Sequence, residues 1–128
     1  MASRVTIQEL SAYKERGERF AMLTAYDYPT AAAFDGAGIP VLLVGDTLGI
    51  FVQGHDTTIP VTLDAMLYHC EIVARAVHNA LVVGDMPFGC YATIRDGVYT
   101  AGRLMKESGV HAVKLEGPKC DLVGRLTG

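Results

Sequence analysis

With 128 residues the chain has room for one domain and too little for two, and half of its residues are apolar, which suits a buried core. A formal charge of −3, with acids and bases interspersed, leaves no basic stripe to neutralise phosphate, so nucleic acid is not expected as a partner. Residues 1–10 lack the apolar run of a secretory signal and no later stretch approaches bilayer length, so the expectation is a cytoplasmic protein with no membrane partner.

In chain order, Thr6-Ile-Gln-Glu9 fits a capping box and opens a first helix over residues 6–17. Residues 19–25 read as a strand ending in a turn at Tyr26 and Asp27. Residues 29–34, rich in alanine, form a helix that Asp27 is placed to cap and that closes at Gly36 and Gly38. Residues 41–45 are apolar throughout, as a strand buried on both faces should be. A Gly- and Thr-rich loop follows over 46–60. Thr62 then caps a helix whose apolar positions Leu63, Met66, Leu67, Cys70, Val73 and Ala74 keep helical spacing. Residues 80–84 are the third strand. A helix over 96–108 places Val98, Ala101, Leu104 and Met105 on one face, with Gly109 as terminator. Residues 112–115 are the fourth strand, and 120–126 begin a last helix. Met66, Met86 and Met105 read as core filler. Cys70, Cys90 and Cys120, odd in number and without a C-x-x-C pair, read as free thiols in packing positions.

Strands alternating with helices imply right-handed crossovers and a parallel α/β sheet, either doubly wound or a TIM barrel. Neither a G-x-G-x-x-G nor a P-loop signature is present, so no dinucleotide or P-loop phosphate site is indicated. A barrel needs eight strands and about 250 residues. Only four strands are read here, so on the barrel reading residues 1–128 are a single incomplete domain holding its N-terminal half.

Three of the apolar strands run into an acid: Asp46, Asp85 and Glu116. Parallel strands bring their carboxyl ends to one face, so the three carboxylates are expected to meet there. Oxygen donors without Cys or His favour a hard cation such as Mg²⁺ over zinc. Any one acid taken alone reads more readily as a turn former or helix cap than as a ligand. Three at corresponding positions favour a site. Lys114 and Glu116, two apart on a strand, share a face; Lys114 is expected inward and paired. His55, His69, His78 and His111 have no metal-like spacing and read as surface or hydrogen-bonded residues; only His55, beside Gly54 and Asp56 in the long loop, is singled out.

Five ordered segments carry a family resemblance: Thr24-Ala-Tyr-Asp-Tyr28, Leu43-Val-Gly-Asp-Thr-Leu-Gly49, Val52-Gln-Gly-His-Asp-Thr-Thr-Ile-Pro-Val61, Val83-Gly-Asp-Met-Pro-Phe88 and Ala112-Val-Lys-Leu-Glu-Gly117. Together they resemble the successive signatures of the ketopantoate hydroxymethyltransferases. The resemblance implies a (β/α)₈ TIM barrel. It implies transfer of a hydroxymethyl group from 5,10-methylenetetrahydrofolate to 3-methyl-2-oxobutanoate in pantothenate biosynthesis, with Mg²⁺, by a homo-oligomeric transferase. It places metal-binding aspartates at Asp46 and Asp85, a metal-site glutamate at Glu116, a substrate hydroxyl at Thr47 and a substrate-binding lysine at Lys114. Thr47 stands where the family usually has serine, keeping the hydroxyl and adding a methyl. The family's catalytic base lies beyond residue 128, so no residue of this chain takes that role. In the chemistry so implied, a divalent cation stabilises the negative charge that develops when the keto acid loses a proton. The alternative is a catalytically silent metal-binding or interaction module that associates with full-length subunits.

Overall fold

The computed structural model describes residues 3–128. Its elements are α1 (Ile7–Glu15), β1 (Met22–Thr24), α2 (Tyr28–Gly36), β2 (Val41–Val44), α3 (Leu48–Phe51), α4 (Leu63–Ala76), β3 (Leu81–Asp85), α5 (Ile94–Glu107), β4 (Ala112–Lys114) and α6 (Cys120–Thr127). The helices start where short polar side chains satisfy orphan N–H groups. Thr6 accepts from Glu9 N–H, Asp27 from Thr30 N–H, Thr62 from Ala65 N–H and Thr93 from Asp96 N–H.

The four strands form one parallel sheet in the order β1-β2-β3-β4, with Leu43 opposite Val83 and Asp85 opposite Lys114. Each crossover therefore joins neighbouring strands, as successive βα units require. On one face Leu42, Val44 and Val82 pack against Met66, Cys70 and Val73 of α4, all fully buried. Each such apolar side chain contributes about 1.5–3 kcal/mol of transfer free energy. Leu43 and Val83, on the opposite face, are only half-buried. Period-two alternation puts Asp85 on that second face, in line with Val83, and Lys114 beside it on β4.

Four expectations from sequence need correction. The 46–60 segment is not all loop: Leu48 and Gly49, both buried, seed the one-turn helix α3. The first strand shrinks to three residues, all exposed, because β1 is an edge with one neighbour. Helix α5 is turned from the expected face, burying Gly97, Thr100, Ala101 and Leu104 while Val98 and Met105 are 41% and 44% exposed. The cause is α6. A Cβ on Gly97 would lie 2.5 Å from Leu122 Cδ2, so glycine there lets the two helices touch and sets the rotation of α5. Finally, Cys70 is buried as expected, but Cys120 sits exposed at the start of α6 rather than in the core. No helix among the described residues is long and apolar enough to cross a membrane.

Candidate functional site

At the carboxyl end of the sheet, Asp85 closes β3 with its side chain 5% exposed. Its Oδ2 accepts from the Asp46 backbone N–H at 3.1 Å, and its Oδ1 lies 3.3 Å from Lys114 Nζ. Burial pushes the Asp85 carboxyl above the usual carboxylate range; the Asp46 N–H and the Lys114 ammonium oppose this, while the Asp46 carboxylate adds to it. Asp46 lies two residues past the end of β2 and is half-buried. The Asp46 backbone thus holds Asp85 while the Asp46 carboxylate is near enough for like charge to act on it.

Lys114 ties the third acid to this pair. Its ammonium makes ion pairs with both Asp85 and Glu116. Burial works against its charge, but the hydrogen bond to Glu116 and the field of Asp85 prevail and hold its pKa above the ordinary lysine value. Glu116 keeps its side chain 69% exposed, and its backbone N–H donates to Tyr91 Oη at 3.1 Å. The three acids are thus linked through the Asp46 backbone N–H and the Lys114 ammonium, with the lysine between Asp85 and Glu116. Among the described residues, no three His, Cys, Asp or Glu side chains are grouped to hold a metal by themselves. The donor set still fits Mg²⁺, which takes one or two protein carboxylates and completes its octahedron with water or ligand oxygens. A divalent cation would also relieve the Asp46–Asp85 repulsion.

Thr47 stands one residue past Asp46. It occupies the N-cap position of α3 in αR geometry and its side chain caps nothing; instead its Oγ1 lies 2.6 Å from Tyr26 Oη. Beyond Glu116, the loops after β3 and β4 border an open cleft of about 420 Å³ lined by Phe88, Tyr91, Ala92, Gly117 and Lys119 among others. Asp27, at the end of the β1 segment, caps α2 and belongs to the scaffold. His55 contributes a backbone hydrogen bond to Gly49, while His69 and His111 bond Tyr26 O and the Val82 N–H with their rings. Sequence reading placed Asp46, Thr47, Asp85, Lys114 and Glu116 on this face, and all five are there. It passed over Tyr26 and Tyr91. Tyr26 follows β1 as Asp46 follows β2, and that equivalent position was the available signal.

Residues 4–128 match the sequence family described as ketopantoate hydroxymethyltransferase. Proteins named 3-methyl-2-oxobutanoate hydroxymethyltransferase are 53% identical in Chloroflexus aggregans over 89% of this chain and 41% of the relative, and 60% identical in Thermobifida fusca over 89% and 41%. That of Halorhodospira halophila is 54% identical over 95% of this chain and 45% of its own length. The chain thus spans under half the length of these relatives. Among solved structures, a phosphonopyruvate hydrolase complexed with oxalate and Mg²⁺ superposes with a TM-score of 0.68 at 15% identity, covering 83% of this chain and 36% of that one. A 2,3-dimethylmalate lyase of the PEP mutase/isocitrate lyase superfamily gives 0.62 at 22%, covering 83% and 38%. The fold is that of a TIM-barrel fragment, four parallel strands with alternating helices. On the match across residues 4–128, this chain belongs to the ketopantoate hydroxymethyltransferase family.

Proposed function

We propose that this chain forms the first four βα units of a barrel that transfers a hydroxymethyl group from 5,10-methylenetetrahydrofolate to 3-methyl-2-oxobutanoate, giving ketopantoate for pantothenate biosynthesis. The observation that carries this reading is the buried Asp85 carboxylate, bonded to the Asp46 backbone N–H and paired with a charged Lys114, in a chain of this family. Asp46 and Asp85 would hold Mg²⁺, with Glu116 adjacent or acting through water. The cation, when bound, supplies Lewis-acid stabilisation of charge on the keto oxygen.

The chain's own groups do the positioning. Lys114, kept cationic by its two carboxylate neighbours, offers N–H donors and positive charge to an anionic ligand oxygen in a half-buried setting, where such contacts are stronger than in water. Thr47 adds a neutral hydroxyl. Its extra methyl, relative to serine, narrows the space for the keto acid's side chain and should tune preference among substrates. Among the described residues, Asp85 and Glu116 are both engaged by Lys114. We assign the proton-abstracting base to the part of the barrel beyond residue 128. The exposed β1 edge, with Met22 and Leu23 at 48% and 37% exposure, is a surface that barrel closure or a homo-oligomeric partner would cover. The setting we propose is cytoplasmic.

The test is ketopantoate formation with Mg²⁺, methylenetetrahydrofolate and 3-methyl-2-oxobutanoate. The purified chain alone should bind the cation and the keto acid and turn over essentially nothing, since general-base catalysis alone contributes about 10²- to 10⁴-fold. A polypeptide supplying the rest of the relatives' length should restore turnover. A rate for the chain alone near that of an intact enzyme would overturn the assignment of the base. Failure of the combined halves to act would overturn the function.

A further inference from the structure

Tyr26 is half-buried on the loop after β1, and three observations bear on it. First, its phenol lies 2.6 Å from Thr47 Oγ1, a short, well-formed hydroxyl pair. Second, its backbone carbonyl accepts from His69 Nδ1 at 2.7 Å; since a carbonyl can only accept, His69 donates, and α4 thereby anchors the Tyr26 loop. Third, glycine at position 45 leaves the Thr47 hydroxyl its place: a Cβ there would lie 3.0 Å from Thr47 Oγ1. A threonine at a helix N-cap ordinarily spends its hydroxyl on the helix N–H groups. Here the αR backbone of Thr47 denies it that bond, and the oxygen pairs with the Tyr26 phenol in the room that Gly45 leaves.

We propose that Tyr26 is a positioning residue that holds the Thr47 hydroxyl in one rotamer, so that its proton is offered to a ligand oxygen beside the Asp46–Asp85 pair. The phenol is the more acidic of the two hydroxyls and is the natural donor between them. When Tyr26 donates to Thr47, the Thr47 O–H proton has no partner within the pair and is free to be given away. The same seating fixes the Thr47 methyl, which otherwise exchanges among staggered wells. Tyr26 thus acts on both hydrogen bonding and steric selection without touching the ligand. The identity of that ligand, a 2-oxo acid, rests on the function proposed above; the seating of Thr47 does not.

Two measurements separate these claims. In the ligand-free chain, three-bond couplings to the Thr47 methyl should report one staggered rotamer, and Tyr26→Phe, which deletes only a hydroxyl, should average it. Averaging already present in the unsubstituted chain, or an unchanged single rotamer in Tyr26→Phe, would overturn the proposal. With Mg²⁺ present, titration of 3-methyl-2-oxobutanoate should show about a threefold to tenfold weaker Kd for Tyr26→Phe, the scale of one lost hydrogen bond. In a Thr47→Val background the same Tyr26 substitution should cost nothing more. An additive loss would mean that Tyr26 meets the ligand itself, and would overturn the positioning role. If the unsubstituted chain shows no affinity for the keto acid, the proposed function falls, and the coupling measurement alone decides Tyr26.

Discussion

The two ends of the sheet each hold a buried aspartate, and the two are treated in opposite ways. At the amino end, Asp35 of α2 is 6% exposed and accepts backbone N–H bonds from His78, Asn79 and Ala80 at 2.9, 3.0 and 2.6 Å. Burial raises its pKa, but the three donors outweigh burial and leave it below the ordinary value. At the carboxyl end, Asp85 is as deeply buried, has one backbone donor and one lysine, and feels the like charge of Asp46; burial above all moves its pKa up. The first carboxylate is saturated and ties the entry of β3 to α2. The second is under-served where ligands of barrel proteins bind. A buried acid whose donors already suffice is scaffold. One crowded by like charge is a candidate site.

Substitution should separate the ends most sharply at Asp85. Asp85→Asn is expected to weaken Mg²⁺ binding at least tenfold by calorimetry and, on the function proposed, to abolish the turnover restored when the rest of the relatives' length is supplied. In chelator its melting temperature should hold or rise, because at neutral pH the native state carries an ionised group that burial disfavours. A clear fall in melting temperature would mean that Asp85 serves the fold as Asp35 does.

Asp35→Ala is the counterpart, expected to cost roughly 2–4 kcal/mol in denaturant melts, since several buried N–H groups lose a charged acceptor. Its Mg²⁺ affinity, compared at matched folded fraction, should stay within twofold of the unsubstituted chain.

Acid titration of stability sharpens the contrast through its sign. Asp35 has a folded pKa below its unfolded value, near 3.9, so its contribution is complete above that value and is lost as pH falls through the folded one. Asp85, shifted up, contributes in the opposite sense: stability present below its unfolded pKa is lost as pH rises through the folded one. Asp35→Asn should therefore flatten the acid-side decline of stability between about pH 5 and pH 2, whereas Asp85→Asn should remove a loss that sets in as pH rises above about 4. Urea midpoints across that range are the measurement, and identical profiles for the two variants would erase the distinction.

The smallest effect is expected at Glu116. Its side chain is 69% exposed and its partner Lys114 keeps Asp85, so Glu116→Gln should change stability by under about 0.5 kcal/mol. A larger loss would place Glu116 among the groups that hold β4 in the sheet.

Much of the site was legible in the chain because it depends on local pattern. Apolar runs ending in Asp46, Asp85 and Glu116 specify strands that stop at acids, and alternation with helices specifies that those strands run parallel. Caps at Thr6, Asp27 and Thr62 were readable for the same reason: a cap is a contact between residues three apart. The Lys114–Glu116 pair follows from strand periodicity alone. What local pattern could not contain was contact across long separations. That Glu116 is separated from Asp85 by Lys114 follows from the β3–β4 register, which sets Asp85 against Lys114. The rotation of α5 was decided by Leu122 meeting Gly97, and Met105 went to the surface as a result. Asp35 reads in sequence as one more polar residue near a helix end, and only the return of the chain at 78–80 makes it a buried anchor. The sequence by itself determined which residues could carry charge and where strands would deliver them. Tertiary structure alone decided which charges face one another and how many donors each receives, because both depend on packing between segments that no local spacing encodes.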